Sequence, residues 1–110
     1  MFKLQTTPSY LQDVKVLLPG EKKEQVFQIE FRRLDTAELV DLNKRIPQDE
    51  ISDIDVAHEL VTGWKAVKDE EGNELDFTAD NFNRLLAIHP VPSCIVRAFF
   101  DSISGARLKN

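Results

Sequence analysis

The sequence contains few of the residue types from which catalytic and metal sites are built. Its 110 residues include a single cysteine, Cys94, and two histidines, His58 and His89, which lie far apart along the chain. One cysteine excludes an internal disulfide and suits a reducing compartment. Zinc sites need several cysteines and histidines at short spacing, so the sequence predicts no metal site.

Cys94 is the one residue that invites a catalytic interpretation. It follows Pro92 and Ser93 near the start of a predicted helix, and a helix N-terminus can lower the pKa of a thiol. Nucleophilic catalysis also requires a positioned base and an orienting acid, and no such motif surrounds Cys94. We therefore interpret it as a small packing residue and predict that the chain has no catalytic residues and is not an enzyme.

Glycines, runs of basic residues and long apolar runs are scarce as well. The four glycines are scattered, whereas a phosphate-binding loop places several of them before a helix. The net charge of −5 disfavours binding to nucleic acids. No apolar run approaches the ~20 residues of a membrane helix, and the N-terminus shows no signal-peptide pattern. The sequence predicts no cofactor and neither a nucleic-acid nor a membrane partner.

The remaining composition is that of a globular domain. Hydrophobic residues make up 42% of the chain and charged residues 30%, and seven phenylalanines are present. This apolar content supports a modest core without a disulfide or a metal. We predict a single domain over residues 1–110, with a loose lead-in at 1–12 and a polar tail at 106–110.

The first apolar segments predict an antiparallel β-hairpin around a charged turn that contains Gly20. Its apolar residues alternate with polar ones, as in a half-buried strand. They are Val14 and Val16 in the first strand, and Phe27, Ile29 and Phe31 in the second.

Two helices are predicted to follow the hairpin. Asp35 and Glu38 have the spacing of a capping box at the start of the first helix, and Pro47 ends it. The second helix begins in the acidic segment 48–50 and closes near Gly63. Its apolar stripe consists of Ile51, Ile54, Ala57, Val61 and Trp64.

Residues 65–77 predict a second, short β-hairpin, with Gly72 in its acidic turn. Thr78 is the predicted N-cap of a third helix, and prolines separate that helix from a fourth. Gly105 is the predicted C-cap of the fourth helix. The fold class is therefore α+β, in the order N-terminal β-hairpin, two helices, second short β-hairpin and two C-terminal helices. Whether the hairpins share one sheet stays open.

Four apolar residues are candidates for binding a partner protein, and they are Trp64, Phe99, Phe100 and Ile103. Tryptophan is enriched at interface hot spots, and an amphipathic helix with excess apolar residues can dock on a partner helix. A core position at the end of the helical stripe is the alternative for Trp64. One of the two adjacent phenylalanines must lie off the centre of the last apolar stripe.

The second half of the chain carries a family resemblance. Its features are the sequence GWKAVKDEEG at 63–72, then Phe77-Thr78, the segment 81–86, Pro90, the aromatic helix through Phe99-Phe100, and Gly105-Ala106-Arg107. In this order they resemble the tail assembly chaperones of long-tailed bacteriophages and prophages. Members of that family often read GWKGVKDEDG in this stretch, so Ala66 stands where a glycine is expected.

The resemblance implies a non-catalytic protein of the host bacterial cytoplasm. Such chaperones bind the tape measure protein and keep it soluble while the tail tube forms around it, which makes the tail tube protein a further candidate partner. Self-association into a homo-oligomer stays open. The alternatives are a structural head–tail connector or tail-completion protein of a phage or prophage, and an adaptor module of the host.

Overall fold

The computed structural model describes residues 2–48 and 51–104, which form a three-stranded antiparallel sheet and four helices. In chain order the elements are β1 (Ser9–Val16), β2 (Gln25–Arg32), α1 (Thr36–Arg45), α2 (Asp53–Leu60), β3 (Val61–Lys65), α3 (Ala79–Leu86) and α4 (Val91–Ser104). The predicted α+β class is confirmed, and the strands lie in the order β1-β2-β3.

The N-terminal hairpin forms as its alternating pattern predicts. Val14 lies opposite Phe27 and Tyr10 lies opposite Phe31, so apolar side chains of both strands share one buried face. The first strand begins at Ser9, so residues 9–12 belong to β1 and not to the predicted lead-in. The opposite face of the sheet is largely polar.

The capping box of α1 is also confirmed. Asp35 accepts a hydrogen bond from the backbone N–H of Glu38 at 2.8 Å, and Glu38 accepts one from the backbone N–H of Asp35 at 3.0 Å. The cap of α2 is Ser52, paired with Asp55, rather than the acidic segment 48–50. Residues 49 and 50 of that segment lie outside the described residues.

The second hairpin is the part of the fold that was predicted wrongly. Helix α2 ends at Leu60, and Val61–Lys65 forms β3, which pairs with β2 and not with a following strand. A single isolated bridge, between Lys68 and Glu74, remains of the expected second strand pair. Ala66 adopts φ 64°, a left-handed conformation that turns the chain out of the sheet. Residues 66–78 are therefore a loop.

The last two helices follow prediction at their starts. Thr78 caps α3 by accepting a hydrogen bond from the backbone N–H of Asn81 at 3.1 Å. Helix α4 starts at Val91 and is described as far as Ser104. The predicted C-cap Gly105 and the tail at 106–110 lie outside the described residues.

The core lies between the sheet and the C-terminal helix. Helix α4 packs against β1, and α2 packs on α4. The largest fully buried side chains come from both layers: Phe31, Phe99, Ile29, Leu42, Leu60, Ile95, Val14 and Val56. Each such side chain contributes about 1.5–3 kcal/mol when removed from water.

Candidate functional site

Trp64 occupies the middle of an aromatic cluster, which we call the Trp64 cluster: Trp64, Phe77, Phe82 and His58. Its ring packs edge-on against Phe77 at 5.1 Å and Phe82 at 6.4 Å between centroids. The indole N–H donates a hydrogen bond to the backbone oxygen of Leu75 at 2.8 Å. The Trp64 side chain is half-buried and holds the loop 66–78 against the fold. Its N–H group and much of its ring surface are therefore already in contact with residues of this chain.

Phe99 and Phe100 belong to a second group, the Phe31 cluster: Tyr10, Phe31, Phe99 and Phe100. Phe99 is 1% exposed and packs edge-on against Phe31 at 5.4 Å. Phe100 is half-buried and packs on Phe99 at 5.3 Å. The Tyr10 hydroxyl forms a hydrogen bond of 2.7 Å with Ser102 and so joins the start of β1 to the last turns of α4.

The four sequence-predicted binding residues thus divide between two regions and differ in accessibility. Phe99 lies in the core and presents no surface to a partner in this fold. Ile103 is 41% exposed and borders a hollow of about 440 Å³ that Tyr10, Arg33 and Leu39 also line. Ile103, together with half-buried Phe100, is what remains of the predicted surface on α4.

A more apolar concave surface lies at the turn end of the first hairpin. We call it the hairpin-end groove and define it by its partly exposed apolar side chains: Leu18, Val26, Val67, Leu85 and Ile88. The groove encloses about 180 Å³, and Val26 and Ile88 are 51% and 44% exposed. Four separate segments of the chain contribute to it, so only the tertiary fold creates it.

The groove continues past the shared residues Val67, Lys68, Leu85 and Ile88 into a second depression of about 230 Å³ beneath the loop 66–78. Charges of both signs border this second depression, namely Lys68, Asp69, Glu70 and Arg84. The result is an apolar floor with a mixed polar rim, which is the usual composition of a site that accepts an apolar side chain or helix face.

One sequence signal could have pointed to this groove. Val26 is out of phase with Phe27, Ile29 and Phe31, so the strand pattern places it on the polar face of the hairpin. Ile88 lies two residues beyond the end of α3 and two before Pro90, outside the helix whose apolar stripe could account for it. An apolar residue outside the phase of its own element is a candidate for an exposed patch.

The acidic turn of the loop is organised by Asp69. Its carboxylate accepts hydrogen bonds from the backbone N–H groups of Glu71 and Asn73, both at 2.9 Å, and Gly72 adopts φ 85°. These contacts form an Asx turn, a common local way to close a loop. The carboxylates of Glu70 and Glu71 project towards solvent.

Ion pairs connect α1 to β2 and α2. Arg32 donates to Glu38 at 2.8 Å, and this bond, with the backbone hydrogen bond from Asp35, holds the pKa of Glu38 below its usual value. Hydrogen bonding to Glu59 raises the pKa of Arg45, to which Asp41 also contributes. The paired side chains are between 29% and 66% exposed, so each pair adds little to the free energy of unfolding and acts mainly to orient α1.

The residues with reactive side chains are not brought together. Cys94 is half-buried on α4, His58 packs on Phe82 at 5.2 Å, and His89 is exposed after α3. Among residues 2–48 and 51–104, no three His, Cys, Asp or Glu side chains form a cluster that could hold a metal ion. No helix within these ranges has the length and hydropathy needed to cross a bilayer.

Comparison with known protein families gives a match. A family model described as phage tail assembly chaperone matches residues 1–110, which is the whole of the sequence. No curated protein and no solved structure matches the chain.

Proposed function

The chain belongs to the phage tail assembly chaperone family, and on this premise we propose that it binds the tape measure protein and keeps it soluble while the tail tube assembles. The family match over the full sequence is the observation that carries this proposal. The role requires binding and no catalysis, and its place is the host bacterial cytoplasm. The tail tube protein is a second partner that such a complex would meet.

We propose the hairpin-end groove as the surface that receives the client. A tape measure protein is long, and its aggregation-prone segments expose apolar helix faces that a chaperone must cover. Concave apolar surfaces accept such faces through spaced anchor side chains. The groove supplies an apolar floor from Leu18, Val67 and Leu85, and its walls include the exposed side chains of Val26 and Ile88.

The net charge of −5 supports the same role. A chaperone bound to an apolar client must contribute solubility to the complex, and an excess of acidic residues does so. The acidic turn around Asp69 lies beside the second depression of the groove, so a client seated there would be flanked by solvated carboxylates.

Co-expression with the tape measure protein of the same gene cluster tests the proposal. We expect the tape measure protein to shift from the insoluble to the soluble fraction and to co-purify with this chain. If it stays insoluble, and this chain is found in mature phage particles, the protein is a structural tail or connector component and the proposal is wrong.

A matched pair of substitutions locates the surface. Ile88→Ser changes an isoleucine in the groove, and Ile103→Ser changes one of similar exposure, 44% against 41%, at the end of α4. We expect Ile88→Ser to lower the yield of soluble complex severalfold and Ile103→Ser to leave it near the wild-type value. The reverse result would assign the client to the sequence-predicted surface at Phe100 and Ile103.

A further inference from the structure

Strand β1 forms an edge of the sheet, since in the described part of the chain it pairs with β2 alone. Its register with β2 is unbroken over all eight residues, Ser9 to Val16. Natural edge strands are usually shortened, bulged, interrupted by proline or guarded by charged side chains, because an open edge can pair with another chain. Strand β1 is neither short, bulged nor interrupted by proline, and its two charged residues, Asp13 and Lys15, have opposite signs.

The hydrogen bonding of the hairpin defines which backbone groups face the open edge. The backbone N–H of Arg33 donates to the oxygen of Pro8 at 2.8 Å, so these two residues form a hydrogen-bonding pair of the ladder. Such pairs alternate along antiparallel strands, so even-numbered residues of β1 bond to β2. Leu11, Asp13 and Lys15 therefore direct their N–H and C=O groups to the free edge.

Charge selects one register for the pairing of two such edges. Antiparallel pairing about a two-fold axis must join odd-numbered residues to odd-numbered residues. An axis at Asp13 or at Lys15 would set like charges against each other. An axis at Val14 sets Asp13 of each copy against Lys15 of the other, which gives two favourable cross-strand pairs.

The same register explains two exposed apolar residues. Leu11 and Leu17 are 39% and 49% exposed, and by alternation both lie on the outer face of the sheet. With the axis at Val14, Leu11 of each copy lies opposite Leu17 of the other. The pairing therefore brings four leucine side chains per dimer into two cross-strand contacts on the outer face, which reduces their exposure to water.

The surroundings of the edge leave space for an added strand. A groove of about 590 Å³ runs beside β1, lined by Gln12, Asp13 and Lys15 on the strand and by Cys94, Arg97 and Asp101 on α4. Its lining carries charges of both signs, so the same surface on a second copy can be complementary to it.

The opposite edge of the sheet is protected, which would stop the assembly at two copies. Strand β3 has five residues, and its register with β2 shifts between Glu30 and Phe31. Shortness and a bulge are both devices that prevent edge pairing.

From these observations we propose that two copies of this chain associate by antiparallel pairing of their β1 edges about a two-fold axis at Val14. The product is a continuous six-stranded sheet with the strand order β3-β2-β1-β1-β2-β3. The side chains whose pairing carries this association, Leu11, Asp13, Lys15 and Leu17, are not among those that line the hairpin-end groove, although Val16 and Leu18 border both surfaces. The charge variants therefore test the association without changing a side chain of the proposed client site.

Sedimentation equilibrium of the purified chain tests the proposal through a charge swap. We expect a dimer in the wild type and a dissociation constant at least about tenfold weaker in Lys15→Asp, because both cross-strand pairs become repulsive. Combining Asp13→Lys with Lys15→Asp restores opposite charges across the axis and should restore the dimer. Circular dichroism checks that each variant is folded, since Asp13 also accepts a hydrogen bond from Gln28 at 3.0 Å.

Cross-linking tests the register independently of the charge effect. In a Cys94→Ala background, a mixture of Leu11→Cys and Leu17→Cys chains should form a disulfide-linked heterodimer, because paired strand residues lie within disulfide distance. Neither variant alone should cross-link. The proposal is overturned if the wild-type chain is monomeric at the highest soluble concentration. It is equally overturned if the charge variants leave a dimer unaffected, or if all mixtures cross-link equally.

Discussion

The two aromatic clusters lie on the same sheet but are held by different interactions. The centre of the Phe31 cluster is the packing of Phe31 on Phe99, both buried, and its one polar group, the Tyr10 hydroxyl, bonds to Ser102 of α4. The Trp64 cluster includes an exposed member, Phe77, and a side-chain hydrogen bond to a backbone carbonyl. The first cluster joins three regular elements, β1, β2 and α4, whereas the second joins α2, β3 and α3 to the loop 66–78.

This difference separates global stability from local order. Removing a ring from a dry cluster leaves a cavity that the whole domain must accommodate. Removing the indole N–H from the Trp64 cluster leaves the sheet intact and releases one carbonyl of the loop. The Phe31 cluster should therefore control unfolding of the domain, and the Trp64 cluster should control opening of residues 66–78.

The largest expected effect is that of Phe99→Ala. Loss of a fully buried ring should lower the free energy of unfolding by about 3–5 kcal/mol, measured by urea denaturation. Phe100→Ala is the matched control, because the neighbouring ring is half-buried and should cost markedly less. Equal losses in the two variants would mean that the cost of removing a ring from this cluster does not follow its burial.

Trp64→Phe should have an intermediate and local effect. The substitution keeps an aromatic ring beside Phe77 and Phe82 but removes the donor to the backbone oxygen of Leu75, at a cost of about 1–2 kcal/mol. Hydrogen exchange should accelerate at the backbone N–H of Leu75, which bonds to Val67 at 2.9 Å. Exchange within β1 and β2 serves as the control and should change only by the global loss. Uniform acceleration throughout the chain would contradict a local role.

The sequence predicted the elements whose signals are local. The alternation in β1 and β2 and the pairing of Asp35 with Glu38 depend on residues close in the chain, and both were found as expected. The stripe through Val61 and Trp64 was misleading, because its spacing fits a helix. Residues 61–65 instead pair with the free edge of β2 and form β3. Tertiary contacts commonly override local propensity in this way.

The candidate site was less predictable than the fold for the same reason. The hairpin-end groove draws single residues from four segments, and no one segment is apolar enough to predict it. The pattern indicated that one of Phe99 and Phe100 must lie off the stripe centre, and the structure places Phe100 there and Phe99 in the core. A helical stripe identifies the buried direction but not what remains exposed after packing.

Ala66→Gly should have the smallest and most specific effect, and it should raise the free energy of unfolding. Ala66 adopts φ 64°, where an L-residue other than glycine is strained by about 1–2 kcal/mol, while glycine adds about 0.4–1 kcal/mol of unfolded-chain entropy. The net gain in the free energy of unfolding should be about 0–1.6 kcal/mol, with a midpoint of about 0.8 kcal/mol. Ala98→Gly, the same chemical change within α4, should destabilise by about 1 kcal/mol or more. If both variants lose stability equally in urea denaturation, the backbone at Ala66 is not strained as its φ angle implies. The glycine that the family resemblance leads us to expect at this position would then need another explanation.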